Sequence, residues 1–403
     1  MTFDPLVPDT GHDVHALYRD LRASCPVVHS GRYRGFWALF RYGDVVRVLT
    51  ESQRFITSVQ NVVPKVAFTG RRPPLHLDPP EHTIYRRVLN PLLRAGRIDA
   101  LEGRVRAHAV EHLRPLIARG HCDLGTEFAG GYPILAFAEF LNVDRRVIDQ
   151  VRDIGGIYVE SLRDFNDDAV RAASLDLYEV ARELIADRMA NPLDPADDPT
   201  SALLVARHEG QPLPPDMVLG MIRQVLVVGI IAPTVVIGSM VVHLATDRAL
   251  QDELRATPAL IPDAVEELLR LYSPYRGFAR TATEPVTLSG TTIPAGEPIA
   301  MVFTSANRDE TVFDCPDEFR LGRAERHIAF GLGPHQCPGI PFARMELRVA
   351  LEELLDRTSG FELAGPVDMT RWPEYGATSV PVRISARAAN TFTDACDSED
   401  CAR

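Results

Sequence analysis

The chain is expected to fold as a mainly α protein with a small β region, in one domain. Apolar residues recur at three-to-four spacing along most of the sequence, strand signals are confined to two places, and no linker separates one apolar pattern from another. Taken in order, helices are predicted over residues 13–23, 82–93, 98–118, 169–189, 249–256, 262–271 and 341–356. Asp44 ahead of Val45 and Asp216 ahead of Met217 are placed as N-caps, because a short carboxylate accepts the unpaired N–H groups of a first turn. GFWALF near Phe36 reads as one strand. Residues 286–305 read as a strand group turned at Ser289-Gly290 and Ala295-Gly296. Residues 225–242 carry no charge and are long enough for a membrane span, but Pro233 falls in their middle and no second such run exists to pair with. A helix at the centre of a large helical domain accounts for them better. Residues 191–201, rich in Pro and Asp, look like a linker, yet the apolar helix that follows needs cover from what precedes it.

Composition narrows the function. With 403 residues, 45% apolar and 24% charged, the chain is neither disordered nor collagenous. A net charge of −12 argues against a nucleic-acid partner, which needs a basic face. Six cysteines without a CxxC pair fit a reduced compartment, and the N-terminus lacks the basic and apolar regions of a signal peptide, so a cytoplasmic protein is expected. No glycine-rich phosphate loop follows a strand.

The most informative segment is HIAFGLGPHQCPGIPFARMEL, residues 327–347. Gly331, Gly333 and Gly339 bracket Cys337, and a helix pattern starts directly after it. A thiol at a helix start meets unpaired N–H groups that favour its thiolate, and the small residues let a flat object approach the backbone. Taken alone, these features fit a structural cysteine, a nucleophile or an axial metal ligand.

Phe330, Gly331, Gly333, His335, Cys337 and Gly339 fill an FGxGxHxCxG pattern, and here the chain resembles the cytochrome P450 superfamily. Two further matches follow in order: Glu267 and Arg270 form an ExxR on a predicted helix, and residues 306–319 look like the segment that precedes the family's heme loop. The resemblance implies a triangular helical prism around heme b, with Cys337 as the thiolate ligand of iron. It implies a heme domain over residues 1–385, ahead of a flexible C-terminal tail over 386–403. It also implies propionate contacts from His82, Arg86, Arg280 and His335, a buried Glu267–Arg270 network, and the family's soluble bacterial branch.

The sequence departs from that family in the central helix, where most relatives carry an acid and an alcohol that relay protons. Here the run is Val228, Gly229, Ile230, Ile231, Ala232, Pro233, so neither Ile231 nor Ala232 carries a proton. Thr234 would point away from the pocket on a regular helix, but Pro233 predicts a kink that could bring it closer. The resemblance places Val63, Phe68, Val225, Val228, Phe278, Ala279, Tyr375 and Gly376 around an apolar pocket for a cyclic or aromatic small molecule. Arg276 and Glu374 lie nearby in sequence, either at a polar group of the substrate or facing solvent. No reductase sequence remains, so a separate ferredoxin and ferredoxin reductase are implied for a monomeric enzyme, or peroxide instead. Arginines 71, 72, 86, 87, 94, 97, 104 and 106 face only four acids in the same stretch and are read as a patch for an acidic ferredoxin. Three activities stay open: oxygen-dependent monooxygenation, peroxide-driven oxidation, and other heme-thiolate chemistry such as coupling, nitration or dehydration. A heme-binding sensor or a silent accessory protein is the alternative of another class.

Overall fold

A computed structural model describes residues 3–6, 14–66, 68–164, 166–323 and 325–387. The tail expected over residues 386–403 lies outside them from residue 388 onward. The helices are α1 (Val14–Ser24), α2 (Tyr42–Thr50), α3 (Glu81–Leu89), α4 (Ala95–Asp99), α5 (Glu102–Arg119), α6 (Tyr132–Leu141), α7 (Arg145–Arg163), α8 (Asp167–Ala190), α9 (Pro199–Val205), α10 (Pro215–Val228), α11 (Ile231–Thr246), α12 (Arg248–Ala256), α13 (Ile261–Leu271), α14 (Phe303–Ala306) and α15 (Ile340–Arg357). The strands are β1 (Val27–Ser30), β2 (Phe36–Leu39), β3 (Phe55–Ile56), β4 (His121–Asp123), β5 (Arg207–His208), β6 (Gln211–Pro212), β7 (Phe278–Ala282), β8 (Val286–Leu288), β9 (Thr291–Ile293), β10 (Pro298–Met301), β11 (Thr358–Leu363), β12 (Asp368–Met369), β13 (Ala377–Ser379) and β14 (Pro381–Ala386).

The mainly α expectation holds, with local corrections. The predicted 82–93 helix stops at Leu89 and continues as a tight turn over Asn90–Leu93, because Pro91 has no N–H to carry it on. The 98–118 helix divides into α4 and α5. Helices α6 and α7 escaped the sequence reading. In α6 nine of ten residues are buried, so no polar face marks its period. Neither Asp44 nor Asp216 is an N-cap. Both sit in the first turn of their helices, behind Arg41 and Pro214, where a negative charge still complements the helix dipole. The 191–201 segment does not divide the chain, since buried Asp198 accepts from Ser201 N at 2.6 Å to start α9 and pairs with Arg188 of α8 at 3.1 Å.

The largest core joins α3, α5, α6, α8, α10, α11, α13 and α15. A second layer is the five-stranded sheet β1-β2-β10-β7-β3, in which only β2 and β10 run parallel. The apolar run of α10 and α11 is long and apolar enough to cross a membrane. Residues 235–241 are nevertheless all buried inside the domain, which is the core helix expected from the sequence.

Glu346 of α15 is fully buried, and neither carboxyl oxygen has a hydrogen-bond partner. Burial raises its pKa well above 4.5, so the folded state holds it protonated. A carboxyl raised in this way is most favourable below its unfolded pKa and loses stability as pH climbs toward its folded value. Glu346→Gln is therefore expected to match the wild-type Tm at about pH 4 and to exceed it at about pH 8. Parallel Tm curves across that range would show that the carboxyl is not buried neutral.

Candidate active site

Cys337 sits in a loop that the glycines make possible. Gly331 and Gly333 take φ of 67° and 70°, a region open chiefly to glycine, and a Cβ on Gly333 would lie 2.4 Å from the Leu49 carbonyl oxygen of α2. The Cys337 N–H donates to Phe330 O at 2.9 Å, and Gly339 precedes the first turn of α15. Cys337 lies deep in the protein body, yet its side chain is exposed, so it faces an internal opening. Burial raises its thiol pKa, against opposing pulls from the Gly339 N–H and the Arg86 charge. The helix start alone does not make a stable thiolate here. A bound cation is needed to hold the sulfur as an anion.

Beside the thiol, four basic side chains converge with no ion pair to a carboxylate among the described residues, Asp78 acting on His82 and Arg280 only through its charge. His82 is buried, both ring nitrogens lack a partner, and its ring centroid lies 4.3 Å from that of His335. Burial, reinforced by neighbouring positive charge, pulls the pKa of His82 to about 4 and of His335 to about 2. Buried Arg280 donates only to its neighbour Ala279 O at 2.8 Å, and burial lowers its pKa to about 10. Arg86 is lowered for the same reason. Unpaired buried cations are costly, and a ligand bearing two carboxylates next to a thiolate-bound metal offsets that cost. Heme b has that chemistry, so the donor set fits it.

The loop is fixed from behind by α13. Glu267 receives Arg270 Nη2 at 2.7 Å and Nε at 2.8 Å, and both residues are buried. Arg323 Nε adds a bond to the same carboxylate at 2.8 Å, while Arg270 Nη1 reaches Asn307 O at 2.9 Å. The Asn307 side chain then accepts from Ile328 N at 2.8 Å, at the base of the cysteine loop. Arg323 and Asn307 were not found from sequence. Arg320, Arg323 and Arg326 stand three apart, and nothing in the spacing selects the one that turns inward.

The central helix breaks where proline predicted it would. Gly229 and Ile230 fall between α10 and α11, with φ/ψ of −89°/8° and −102°/−57°. A Cβ on Gly229 would lie 2.3 Å from the Phe137 ring of α6, so glycine also permits close packing there. Val228, Gly229, Ile231, Ala232 and Thr234 remain accessible, and Pro233 is buried. The Thr234 hydroxyl donates one turn back, to Ile230 O at 2.9 Å.

Several expected pocket positions move elsewhere. Successive residues of a strand face opposite ways, so on β7 Phe278 shares the face of Arg280 while Ala279 points into a separate core. Val63 and Tyr375 belong to that same core, with Val63 O accepting Trp372 Nε1 at 2.8 Å and Tyr375 Oη 2.7 Å from His15 Nε2. Gly376 lies under the central helix, where a Cβ would be 2.5 Å from Val235 O. Val225 is buried in the main core, whereas Val228 and Phe68 are exposed. Arg276 and Glu374 are both buried: Arg276 Nε donates to Glu374 O at 2.7 Å, and the Glu374 carboxylate pairs with Arg163 at 3.2 Å. Neither faces solvent.

The basic patch is also smaller than expected. Arg72 and Arg86 turn inward, Arg71, Arg104 and Arg106 pair with Glu81, Glu139 and Glu352, and Arg97 donates to Asp197 O. Arg87 and Arg94 stay exposed with no ion pair among the described residues.

A helical prism with an inward cysteine on a glycine loop, faced by buried donors for two carboxylates, defines a heme-thiolate class of enzyme. A family profile described as cytochrome P450 matches residues 240–379. The chain is 35% identical over 380 residues to mycinamicin IV hydroxylase/epoxidase of Micromonospora griseorubida, covering 90% of this chain and 94% of that one. It is 32% identical over 374 residues to the cyclomarin C epoxidase CymV of Salinispora arenicola, covering 89% and 93%. Among solved structures, cytochrome P450 CYP109Q5 from Chondromyces apiculatus superposes with a TM-score of 0.86 at 27% identity, over 96% of this chain and 99% of that one. The chain belongs to the cytochrome P450 superfamily and is a heme-thiolate monooxygenase acting on small molecules.

Proposed function

We propose that the protein is an oxygen-dependent monooxygenase that oxidises an apolar, cyclic or aromatic small molecule in bacterial secondary metabolism or catabolism, without a proton relay on its central helix. The observation that carries the relay-free part of this reading is the Val228–Thr234 segment, accessible except at Pro233, without an acid, and with its one hydroxyl turned to Ile230 O. Cys337 would hold the iron, and His82, Arg86, Arg280 and His335 would hold the propionates. A heme held in this way supplies oxygen activation and attack on C–H bonds.

The chain's own residues orient and exclude water. Phe278 and Val228 offer apolar surface to the substrate, while Ile231 and Ala232 keep the central helix dry where relatives carry the relay. Protons then enter through ordered water or through a hydroxyl or amine of the substrate. Electrons come from a separate ferredoxin and its reductase, docking near exposed Arg87 and Arg94 on a monomeric, cytoplasmic enzyme. Both compared relatives are named for oxidations of this class, an epoxidation and a hydroxylation/epoxidation.

The absent acid–alcohol pair also favours a second reading, in which peroxide replaces dioxygen and electrons. Compounds that shift the heme spin state should be turned over with dioxygen and reduced ferredoxin. Product formed with hydrogen peroxide alone, and none with dioxygen, would overturn the first reading in favour of the second.

A further inference from the structure

Between Asp216 and Asp247 the paired central helices carry one charged residue, Arg223, and it lies inside the protein at 1% exposure. Its guanidinium stands over the rings of Tyr158 at 5.7 Å and Tyr178 at 5.8 Å, and Nη2 donates to Ser174 Oγ at 3.1 Å. These partners come from α7 and α8, and none is an acid. Nε has no partner at all.

A second arginine without an ion pair, Arg72, is near enough for its charge to act on Arg223. The segment around Arg72 crosses the central helix at Gly220, where a Cβ would lie 2.0 Å from Arg71 O and 3.2 Å from Pro73 Cδ. Arg72 is 9% exposed, its Nη2 lies 2.8 Å from His76 Nε2, and its Nε is likewise without a partner. Neither arginine forms an ion pair among the described residues. Burial, and then the charge of Arg72, bring the pKa of Arg223 down to about 10, and His76 falls to about 3 for the same two reasons. His76 is therefore neutral and adds no charge, and Lys65 is the remaining cation on the nearby wall.

Two buried guanidiniums whose charges act on one another, neither paired with a carboxylate, are unfavourable unless something anionic completes them. Arg72 and His76 line a cavity of about 270 Å³ together with Thr57, Asn61, Lys65 and Phe68. Of these, Thr57 has its Oγ1 3.4 Å from His335 Nε2, beside the cysteine loop. The cavity wall thus includes both a residue that reaches the cysteine loop, Thr57, and buried Arg72. An arginine fork matches the two oxygens of a carboxylate better than any other side chain does.

We propose that Arg72, backed by the charge of Arg223, is a carboxylate clamp, and that the substrate has an apolar body over the cofactor and a carboxylate at the Arg72 end. The clamp rests on the monooxygenase reading of the same pocket. It sets the substrate class and the orientation, since one end of the molecule is anchored while the other is presented for oxidation.

The test is calorimetric binding to the holoprotein of dodecanoic acid, biphenylacetic acid and abietic acid, each against its own primary amide. At least one acid is expected to bind about tenfold or more tightly than its amide. That preference should collapse in Arg72→Gln and weaken in Arg223→Gln. The carbon monoxide spectrum of Arg72→Gln should match wild type, since neither arginine touches Cys337. A panel in which no acid exceeds its amide overturns the clamp on wild-type protein alone, whether or not the variants fold. A preference that survives Arg72→Gln overturns it too. Turnover with dioxygen but no acid preference removes the clamp and leaves the monooxygenase reading. Acid preference without such turnover does the reverse.

Discussion

Cys337→Ser is expected to abolish the thiolate signature in the carbon monoxide difference spectrum and to abolish oxygen-dependent turnover, while the far-ultraviolet circular dichroism stays that of the wild type. The loop does not depend on sulfur for its shape. Its turn comes from Gly331 and Gly333 and from the Cys337 N–H to Phe330 O bond, and a serine retains that N–H. What serine cannot retain is an easily formed, polarisable anion. A hydroxyl in a buried site stays protonated, whereas a thiol gives up its proton to a bound metal ion. Donation from sulfur is what favours cleavage of the O–O bond, so activity should fall to background even where some heme is retained. Wild-type spectra and turnover in Cys337→Ser would show that the iron is held elsewhere.

The second large effect concerns stability. Glu267→Gln is expected to cost about 3–5 kcal/mol in denaturant unfolding, because it leaves two buried guanidiniums, Arg270 and Arg323, without their shared anion. Against a typical total of roughly 5–15 kcal/mol, that brings the domain near its threshold. Heme content should drop as well, since Arg270 also carries Asn307 and through it the base of the cysteine loop. Glu362→Gln is the control. Its partner Arg383 and Glu362 itself are both more than half exposed, so the loss should stay under about 1 kcal/mol. Equal losses in the two variants would remove the structural role given to the Glu267 network.

The parts of the site legible in the sequence are those built from near neighbours. The cysteine loop is one run of residues, and the glycines that bracket it shape it as small residues can, Gly331 and Gly333 through left-handed backbone. Glu267 and Arg270 stand one helical turn apart and do pair. The proline break was also readable, although the turn of the Thr234 hydroxyl back onto Ile230 O was not. Contacts between distant segments were harder. Arg323 completes the Glu267 network from 56 residues away. Tyr375 was placed at the pocket by its position in the chain, yet its ring is committed to His15. One error was avoidable: Phe278 and Ala279 are consecutive in a strand, and alternation forbids both from lining one pocket. A lone arginine in an otherwise uncharged helix was visible too, and buried charge without a partner is rare enough to have marked Arg223.

The central claim is that one donor set holds the cofactor, with sulfur on the metal and four basic side chains on two carboxylates. A crystal structure of the purified holoprotein tests it most directly. The expected result is iron bonded to Cys337 Sγ, with the heme carboxylates on His82, Arg86, Arg280 and His335. Iron on any other side chain, or heme carboxylates directed away from the His82–His335 pair, would contradict it.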